Sequence, residues 1–443
     1  MSLEKRLSKG LLSMNLIMYT LKSMAYIVVE PSLMFMLILI GVIFYIKNRK
    51  LVIMQRLIIG ESVNSPLELT LSQIVLGIFG GIGVSIILSY LGVMFNKGSG
   101  IELIFIISIL IMFFKPRFMD FAYSASILGL ISIALNYLNQ LGKQPKSLFL
   151  FDIMSLMTLV AVLHIVEGIL TMIDGDKGAI PVFSNKHGKI IGGYALNRYW
   201  ILPITIFIAY SVSSVDGIGA QSIATPQWWP ILNNSNISQM INNMILTLLP
   251  MFGAVGYSAV TFTRNKKQKA VSSGIFNVAY GMVLILISQL ARYGVVGELV
   301  VIIFAPLVYE FSLFLQRKIE DKRKPIFVSG KDGISILDVV PYSMASDLGI
   351  KAGDKILTIN NKEINTEGDI YSIVKENLNN LTLKIKDKTG VIKELSVRHE
   401  NNKRLGIVLV PRVVNSNSVV SFENRNLGEV IDKIKENREK NNK

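Results

Sequence analysis

Apolar runs dominate the chain from residue 10 to residue 316, and most of the charged residues lie at their ends. A helix needs on the order of 20 residues, at about 1.5 Å each, to cross the roughly 30 Å of hydrocarbon in a bilayer. The pattern therefore predicts a polytopic α-helical membrane domain over residues 1–316, with eight to ten spans. The candidate spans are 10–29, 32–46, 72–93, 101–115, 118–138, 148–172, 198–213, 240–262, 271–290 and 295–316.

The pattern changes near Pro325, where short segments of alternating apolar and polar residues replace the long runs. One such segment, "GISILDVV" (333–340), is typical of a strand, and Ser343 after it is suited to cap a short helix. Further alternating segments follow, and the order of strands and helices predicts a small α+β domain over residues 325–412. Residues 413–443 are polar and charged, which is typical of a short helix or a disordered tail.

Composition supports a membrane protein. The chain of 443 residues is 51% hydrophobic and 17% charged, whereas soluble domains usually have roughly 25% charged residues. The net charge of +15 does not indicate nucleic acid binding, because basic and aromatic residues do not interleave as a stacking surface requires. Many basic residues instead flank apolar runs, which suits attraction to membrane lipids and control of orientation.

The basic clusters predict how the chain is oriented. If ten spans are counted, five clusters fall on one side of the membrane, and that side is expected to be the cytoplasm because cytoplasmic loops are enriched in Lys and Arg. The N-terminus and the region after residue 316 then face the cytoplasm. The clusters are residues 47–50 with Arg56, 115–117, 176–189, 264–269 and 316–324.

Several short motifs occur at fixed spacing within residues 333–411. They are Ser343-Met344-Ala345, Leu348-Gly349-Ile350, Gly353-Asp354 and Ile359-Asn360-Asn361. Bacterial PDZ domains usually read S-P-A, A-G-L, G-D and I-N-G at these places, so the region resembles a PDZ domain. Met344 replaces the usual proline and Asn361 the usual glycine, but methionine suits a helix start and asparagine tolerates positive φ.

This resemblance implies a peptide-binding groove. PDZ domains bind extended peptides, often C-terminal tails, by adding a strand at a sheet edge beside a helix. The implied groove consists of Ile370, Ile373 and Val374 on the helix, with Leu405, Gly406 and Ile407 as the loop that holds the peptide carboxylate or as the strand beside it. For Ile370 and Val374 a second interpretation stays open, since either residue would also suit the domain core.

The sequence contains no recognisable catalytic motif. Its three histidines, His164, His187 and His399, do not form the H-E-x-x-H pattern of an intramembrane zinc protease, and no G-x-S-x-G nucleophile turn occurs. The absence of cysteine excludes thiolate metal sites and cysteine nucleophiles. We therefore expect no enzyme activity, no catalytic residue, no metal ligand and no cofactor.

One pair inside a predicted span resembles half of a metal or proton site. His164 and Glu167 are three residues apart and so share one helix face. No third ligand is apparent in the sequence, and a polar contact between packed helices is the favoured interpretation.

The layout as a whole resembles the MinJ-type topological determinants of cell division from Gram-positive bacteria. Members of that family have several membrane spans followed by one cytoplasmic PDZ domain. The segments that carry this resemblance are 29–61, 180–203, 228–232 and 248–258.

The resemblance implies a non-enzymatic scaffold in the cell membrane, enriched at the septum and poles. Such a scaffold links the septal and polar protein DivIVA to MinD, and through MinD to the MinC division inhibitor. The implied partners are DivIVA-like and MinD-like proteins, peptide segments bound by the PDZ domain, and membrane lipids; self-association is left open. Two alternatives remain: a PDZ-containing adaptor that regulates proteolysis or envelope-stress signalling, and a transporter or atypical membrane enzyme.

Overall fold

The computed structural model confirms an apolar helical part followed by a small domain rich in strands. The residues it describes are 3–59, 63–96, 99–101, 103–104, 107, 120–140, 150–186, 189–211, 229–232, 244–330, 332–364, 369, 372–373, 380–398 and 405–412. The predicted tail over residues 413–443 lies outside these residues, as does most of the predicted span 101–115.

Seven long helices form the first part of the described chain. They are α1 (Leu3–Val29), α2 (Pro31–Ile59), α3 (Pro66–Leu91), α4 (Phe121–Gln140), α5 (Ile153–Asp174), α6 (Lys266–Ser288) and α7 (Val295–Lys322). Within the described residues, six of the helical segments, α2 to α7, are long and apolar enough to cross a membrane, and α1 contributes a shorter apolar stretch over Met14–Val29. The described helices thus do not reach the predicted eight to ten spans.

The prediction is wrong at two of the spans, 198–213 and 240–262, whose described residues 198–211 and 244–261 fold as strands. Strand β3 (Lys189–Ser211) pairs antiparallel with β4 (Met244–Thr261) in a continuous register from Tyr194 opposite Thr261 to Ser211 opposite Met244. Two short strands, β1 (Met94–Asn96) and β2 (Ile180–Lys186), pair with the other edge of β3. Strands among membrane helices need partners for their backbone groups, and these pairings supply them for β3.

Glycines in helix α3 let it pack directly on β3. A Cβ atom at Gly77 would lie 2.0 Å from the carbonyl oxygen of Ile201, and one at Gly81 would lie 1.9 Å from that of Pro203. The spacing of four residues places both glycines on one helix face, the arrangement that allows close approach in membrane domains. Side chains larger than hydrogen at these positions would force the helix away from the strand.

Helices α5 and α6 also meet through small residues. A Cβ atom at Gly274 would lie 2.4 Å from the carbonyl oxygen of Gly168, and one at Gly168 would lie 2.6 Å from that of Gly274. Gly281 approaches the carbonyl oxygen of Ala161 in the same way. These close contacts hold α5 against α6. Helix α5 carries His164 and Glu167.

A buried ion pair fastens the end of α5 to the sheet. The guanidinium of Arg198 on β3 donates to the carboxylate of Asp174, with Nε 2.9 Å from Oδ2, and both side chains are almost fully buried. The same carboxylate accepts from Trp200 Nε1 at 3.1 Å and from Ser72 Oγ at 2.6 Å. Burial of a charge is tolerated here because each Asp174 oxygen has a donor.

The C-terminal domain is a six-stranded sheet with a short helix. Its elements are β6 (Ile334–Val339), α8 (Met344–Asp347), β7 (Lys355–Ile359), β8 (Lys362–Glu363), β9 (Asn380–Lys386), β10 (Ile392–Arg398) and β11 (Ile407–Leu409). The sheet order is β10-β9-β7-β6-β11, and β8 pairs with β7. Ser343 caps α8 as predicted, since its side chain accepts from the backbone N–H of Ser346.

Candidate functional site

Strand β11 forms one edge of the C-terminal sheet as far as the described residues define it. Among the described strands it pairs only with β6, antiparallel, with Ile407 opposite Val339 and Val408 opposite Asp338. An edge strand presents backbone groups that an added strand can pair with. The predicted segment Leu405-Gly406-Ile407 therefore lies at this sheet edge and in the turn that leads to it.

The loop before β11 closes over the start of α8. The carbonyl of Leu405 accepts from the N–H of Ala345 at 3.1 Å, and the carbonyl of Gly406 accepts from the N–H of Val340 at 2.8 Å. Gly406 has a φ of +68°, and a Cβ atom there would lie 2.2 Å from Cβ of Ser343. Only glycine fits this turn without displacing its neighbours.

The predicted helical wall of the groove is described at one of its three residues. Ile373 is 5% exposed and packs in the same hydrophobic cluster as Leu405 and Leu409, with Ile407 partly buried against it. Ile370 and Val374 lie outside the described residues. The structure thus brings Ile373, Leu405 and Ile407 together, while the burial of Ile373 also suits a core role.

The small domain is attached to the membrane domain through its backbone. Strand β5 (Phe327–Val328) pairs with β3, with Phe327 opposite Gly192 and Val328 opposite Ile191. The N–H of Ile326 donates to the carbonyl of Phe262 at 3.2 Å. The sheet of the membrane domain therefore continues into the segment that leads to the small domain.

Side chains then fill the contact between the two sheets. Phe327 is fully buried and packs edge-to-face on Tyr194 at 5.6 Å between ring centroids. The hydroxyl of Tyr194 donates to the carbonyl of Leu337 on β6, and burial, with the nearby Asp338 charge, raises its pKa well above the ordinary value. The phenol thus remains a hydrogen-bond donor at all physiological pH values.

A salt bridge lies at the margin of the same contact. Lys266, the first residue of α6, places its Nζ 2.9 Å from Oδ2 of Asp338. Val408 and Val410 extend the apolar part of the interface from the small domain, in one cluster with Leu337 and Tyr194. The small domain therefore packs directly on the membrane domain, a feature that local sequence patterns did not predict.

A polar cluster lies within the membrane domain around His164. The Nε2 atom of His164 is 2.9 Å from Oδ1 of Asp120, and its Nδ1 atom is 2.8 Å from the carbonyl oxygen of Val160. Glu167 accepts from Asn277 Nδ2 on α6 at 3.1 Å. One ligand atom from each of Asp120, His164 and Glu167 lies within 4.8 Å of the others.

The structure brings a third candidate ligand, Asp120, to His164 and Glu167, which the sequence did not reveal. Asp120 immediately precedes α4, and the fold brings it to α5 although 44 residues separate it from His164. No periodicity links such distant positions, so a single sequence could not show that Asp120 lies beside His164. The other two histidines, His187 and His399, lie outside the described residues.

Comparison with known proteins agrees with this architecture. Residues 316–386 match the PDZ domain family. The chain is 24% identical over 348 residues to the cell division topological determinant MinJ of Bacillus subtilis (strain 168), an alignment that covers 75% of this chain and 81% of the relative. No solved structure matches the chain at a significant level. The chain is thus similar to MinJ over most of its length and contains a PDZ domain after its membrane helices.

Proposed function

We propose that this protein is a non-enzymatic membrane scaffold for placement of the division site. The observation that carries the proposal is the similarity to a cell division topological determinant over most of both chains, together with the PDZ domain. A PDZ domain acts by binding, and the motifs of the common membrane proteases do not occur in the sequence.

The groove proposed for partner binding runs along the edge of β11 with which no other described strand pairs. Leu405, Gly406 and Ile407 would hold the end of an extended peptide, and the helix with Ile370, Ile373 and Val374 would pack on its side chains. Main-chain hydrogen bonds would supply affinity, and the apolar wall would supply selectivity. The edge position of β11 and the closed loop at Gly406 support this assignment.

The proposed orientation places this groove at the cytoplasmic face of the membrane. In support, basic segments far apart in sequence meet beside the small domain: Lys267 pairs with Asp176 at 3.3 Å, and Lys269 pairs with Glu320 at 3.5 Å. Clustering of basic segments on one face is typical of the cytoplasmic side. Both ends of the chain would then be cytoplasmic.

The proposed partners are a DivIVA-like protein at the septum and poles and a MinD-like protein that carries the MinC-type inhibitor. A groove fixed on a membrane base would raise the effective concentration of partners that already lie at the inner leaflet. Because the interface around Phe327 and Tyr194 is buried, the groove would face its partners in one orientation.

Depletion of the protein, followed by imaging of the division ring and of the MinD-like protein, tests this proposal. We expect misplaced rings and loss of MinD localisation at the septum. Normal rings with normal MinD localisation would refute the division role. Pull-down with full-length protein would then identify the process served, since an adaptor for proteolysis would capture protease components.

A further inference from the structure

We propose that Asp120, His164 and Glu167 bind a Zn²⁺ ion inside the membrane domain. The inference does not depend on the proposed division role, because it concerns the helical base and not the PDZ domain. The three residues come from the start of α4 and from one face of α5, and His164 and Glu167 are almost fully buried.

The hydrogen bonds of the His164 ring favour a cation at its Nε2 atom. The carbonyl of Val160 can only accept a hydrogen bond, so the Nδ1 atom 2.8 Å away carries the proton. In a neutral ring, Nε2 then has a lone pair, and it faces the carboxylate oxygen of Asp120 at 2.9 Å. Two lone pairs at this distance repel each other unless a proton or a metal ion lies between the two groups.

Charge favours the metal ion over the single proton. With a single proton between His164 and Asp120, the carboxyl group of Glu167 must take up a second proton to avoid a buried negative charge inside the membrane domain. A divalent ion neutralises both carboxylates while the imidazole stays neutral, and this lowers the cost of burial. Imidazole with carboxylate oxygens is a ligand set that zinc accepts.

The groups around the three residues resemble the outer shell of a metal centre. The backbone carbonyl of Val160 fixes the ring of His164, which is a common partner for a metal-bound histidine. Asn277 donates to Glu167 at 3.1 Å, and the hydroxyl of Tyr309 hydrogen-bonds to Asp120. Each ligand is thus oriented by a second group.

Space and water exclusion are also compatible with zinc. A tetrahedral ion with ligand distances of about 2.0–2.2 Å holds its ligand atoms about 3.3 Å apart. Here Nε2 of His164 lies 2.9 Å from Oδ1 of Asp120, and the three ligand atoms all lie within 4.8 Å of one another, so shifts of side chains alone would complete the site. The rings of Tyr280 and Tyr309 pack edge-to-face on His164 at 4.7 Å and 5.5 Å. They cover the ring of His164 and limit the access of water to it.

Elemental analysis of the purified full-length protein tests the inference. The protein would carry an affinity tag without histidine and would be dialysed after exposure to zinc. We expect about one zinc per chain in the wild type and less than about a tenth of that in His164→Gln and in Asp120→Asn, since each loses a ligand. Asn277→Leu, which removes only a positioning group, should weaken zinc binding about tenfold.

The matched control is Asp152→Asn. Asp152 caps the start of the same helix, and asparagine caps equally well, so zinc content should not change. Thermal unfolding in detergent provides a second measurement, because a chelator should lower the melting temperature of the wild type and of Asp152→Asn but not that of His164→Gln. Wild-type protein without zinc, or equal zinc in the wild type and all ligand variants, would overturn the assignment.

Discussion

The ammonium group of Lys266 lies 2.9 Å from the carboxylate of Asp338, so an ion pair joins the first turn of α6 to the PDZ sheet. Together with the pairing of β5 to β3, this contact attaches the PDZ domain to the membrane domain. A PDZ domain on a flexible linker would sample many orientations, whereas we expect this docked domain to present its β11 edge in a single direction.

Thiol cross-linking would measure this fixed position. The chain contains no cysteine, so Lys266→Cys with Asp338→Cys introduces the only thiol pair. A short bifunctional reagent should join them rapidly, and the two halves should stay together after cleavage at a protease site inserted near Arg323. The remaining contacts around Phe327 should preserve the docked arrangement without the ion pair.

The control pair for this experiment is Lys266→Cys with Lys393→Cys. Lys393 lies on β10, at the opposite end of the sheet order from β11, and it is exposed. We expect little cross-linking of this pair. Equal cross-linking of both pairs would indicate a domain that moves freely and would contradict the docked arrangement.

Substitution of Gly274 by alanine should destabilise the membrane domain. The new Cβ atom would lie 2.4 Å from the carbonyl oxygen of Gly168, so α5 and α6 must separate, at a cost of about 1–3 kcal/mol. Gly83→Ala is the control, because nothing lies within 4 Å of a Cβ atom there and alanine favours helix. In detergent, the melting temperature should be lower for Gly274→Ala than for the wild type and should not fall for Gly83→Ala. The same melting temperature in both variants would be inconsistent with close packing of α5 on α6.

Removal of Arg198 alone should destabilise the protein more than removal of both charges of the Arg198–Asp174 pair. Arg198→Met leaves the carboxylate of Asp174 buried without its main counter-ion, which costs about 3–5 kcal/mol. The second substitution Asp174→Asn removes the charge, keeps one oxygen that can accept from Trp200, and supplies an amide N–H that can donate to the hydroxyl of Ser72. Thermal unfolding should therefore show the double variant to be more stable than Arg198→Met, and a double variant of equal or lower stability would contradict the buried-pair interpretation.

Gly406→Ala should disturb the proposed groove, whereas Gly390→Ala should not. Both glycines have positive φ and so share a backbone cost of about 1–2 kcal/mol. Only at Gly406 does the added carbon meet Ser343, since nothing lies within 4 Å at Gly390. A displayed library of C-terminal peptides, selected against the full-length protein, should lose binding to Gly406→Ala and keep it to Gly390→Ala; the reverse result would place the groove elsewhere.

Local patterns in the sequence predicted the PDZ domain and most membrane helices. The motifs around Ser343, Gly353 and Asn360 are confined to short turns and caps, whose geometry depends on near neighbours. Hydropathy located α2 to α7 because length and apolar composition are sufficient to recognise a membrane helix.

The strands β3 and β4 were missed because a continuous apolar run does not distinguish a buried strand from a buried helix. Their length exceeded that of ordinary strands, which favoured the wrong assignment, although Pro203 and Pro250 interrupt both runs. What stabilises them is contact with distant residues, such as Gly77 and Gly81 on α3. Asp120 and the Lys266–Asp338 pair could not be predicted for the same reason, because these residues meet their partners only in the folded chain.

A fluorescent fusion of the full-length protein, imaged in dividing cells, measures the proposed role in division-site placement most directly. We expect fluorescence concentrated at the poles and at the septum, with septal enrichment as the division ring constricts. Even fluorescence over the whole cell membrane throughout division would contradict the proposal.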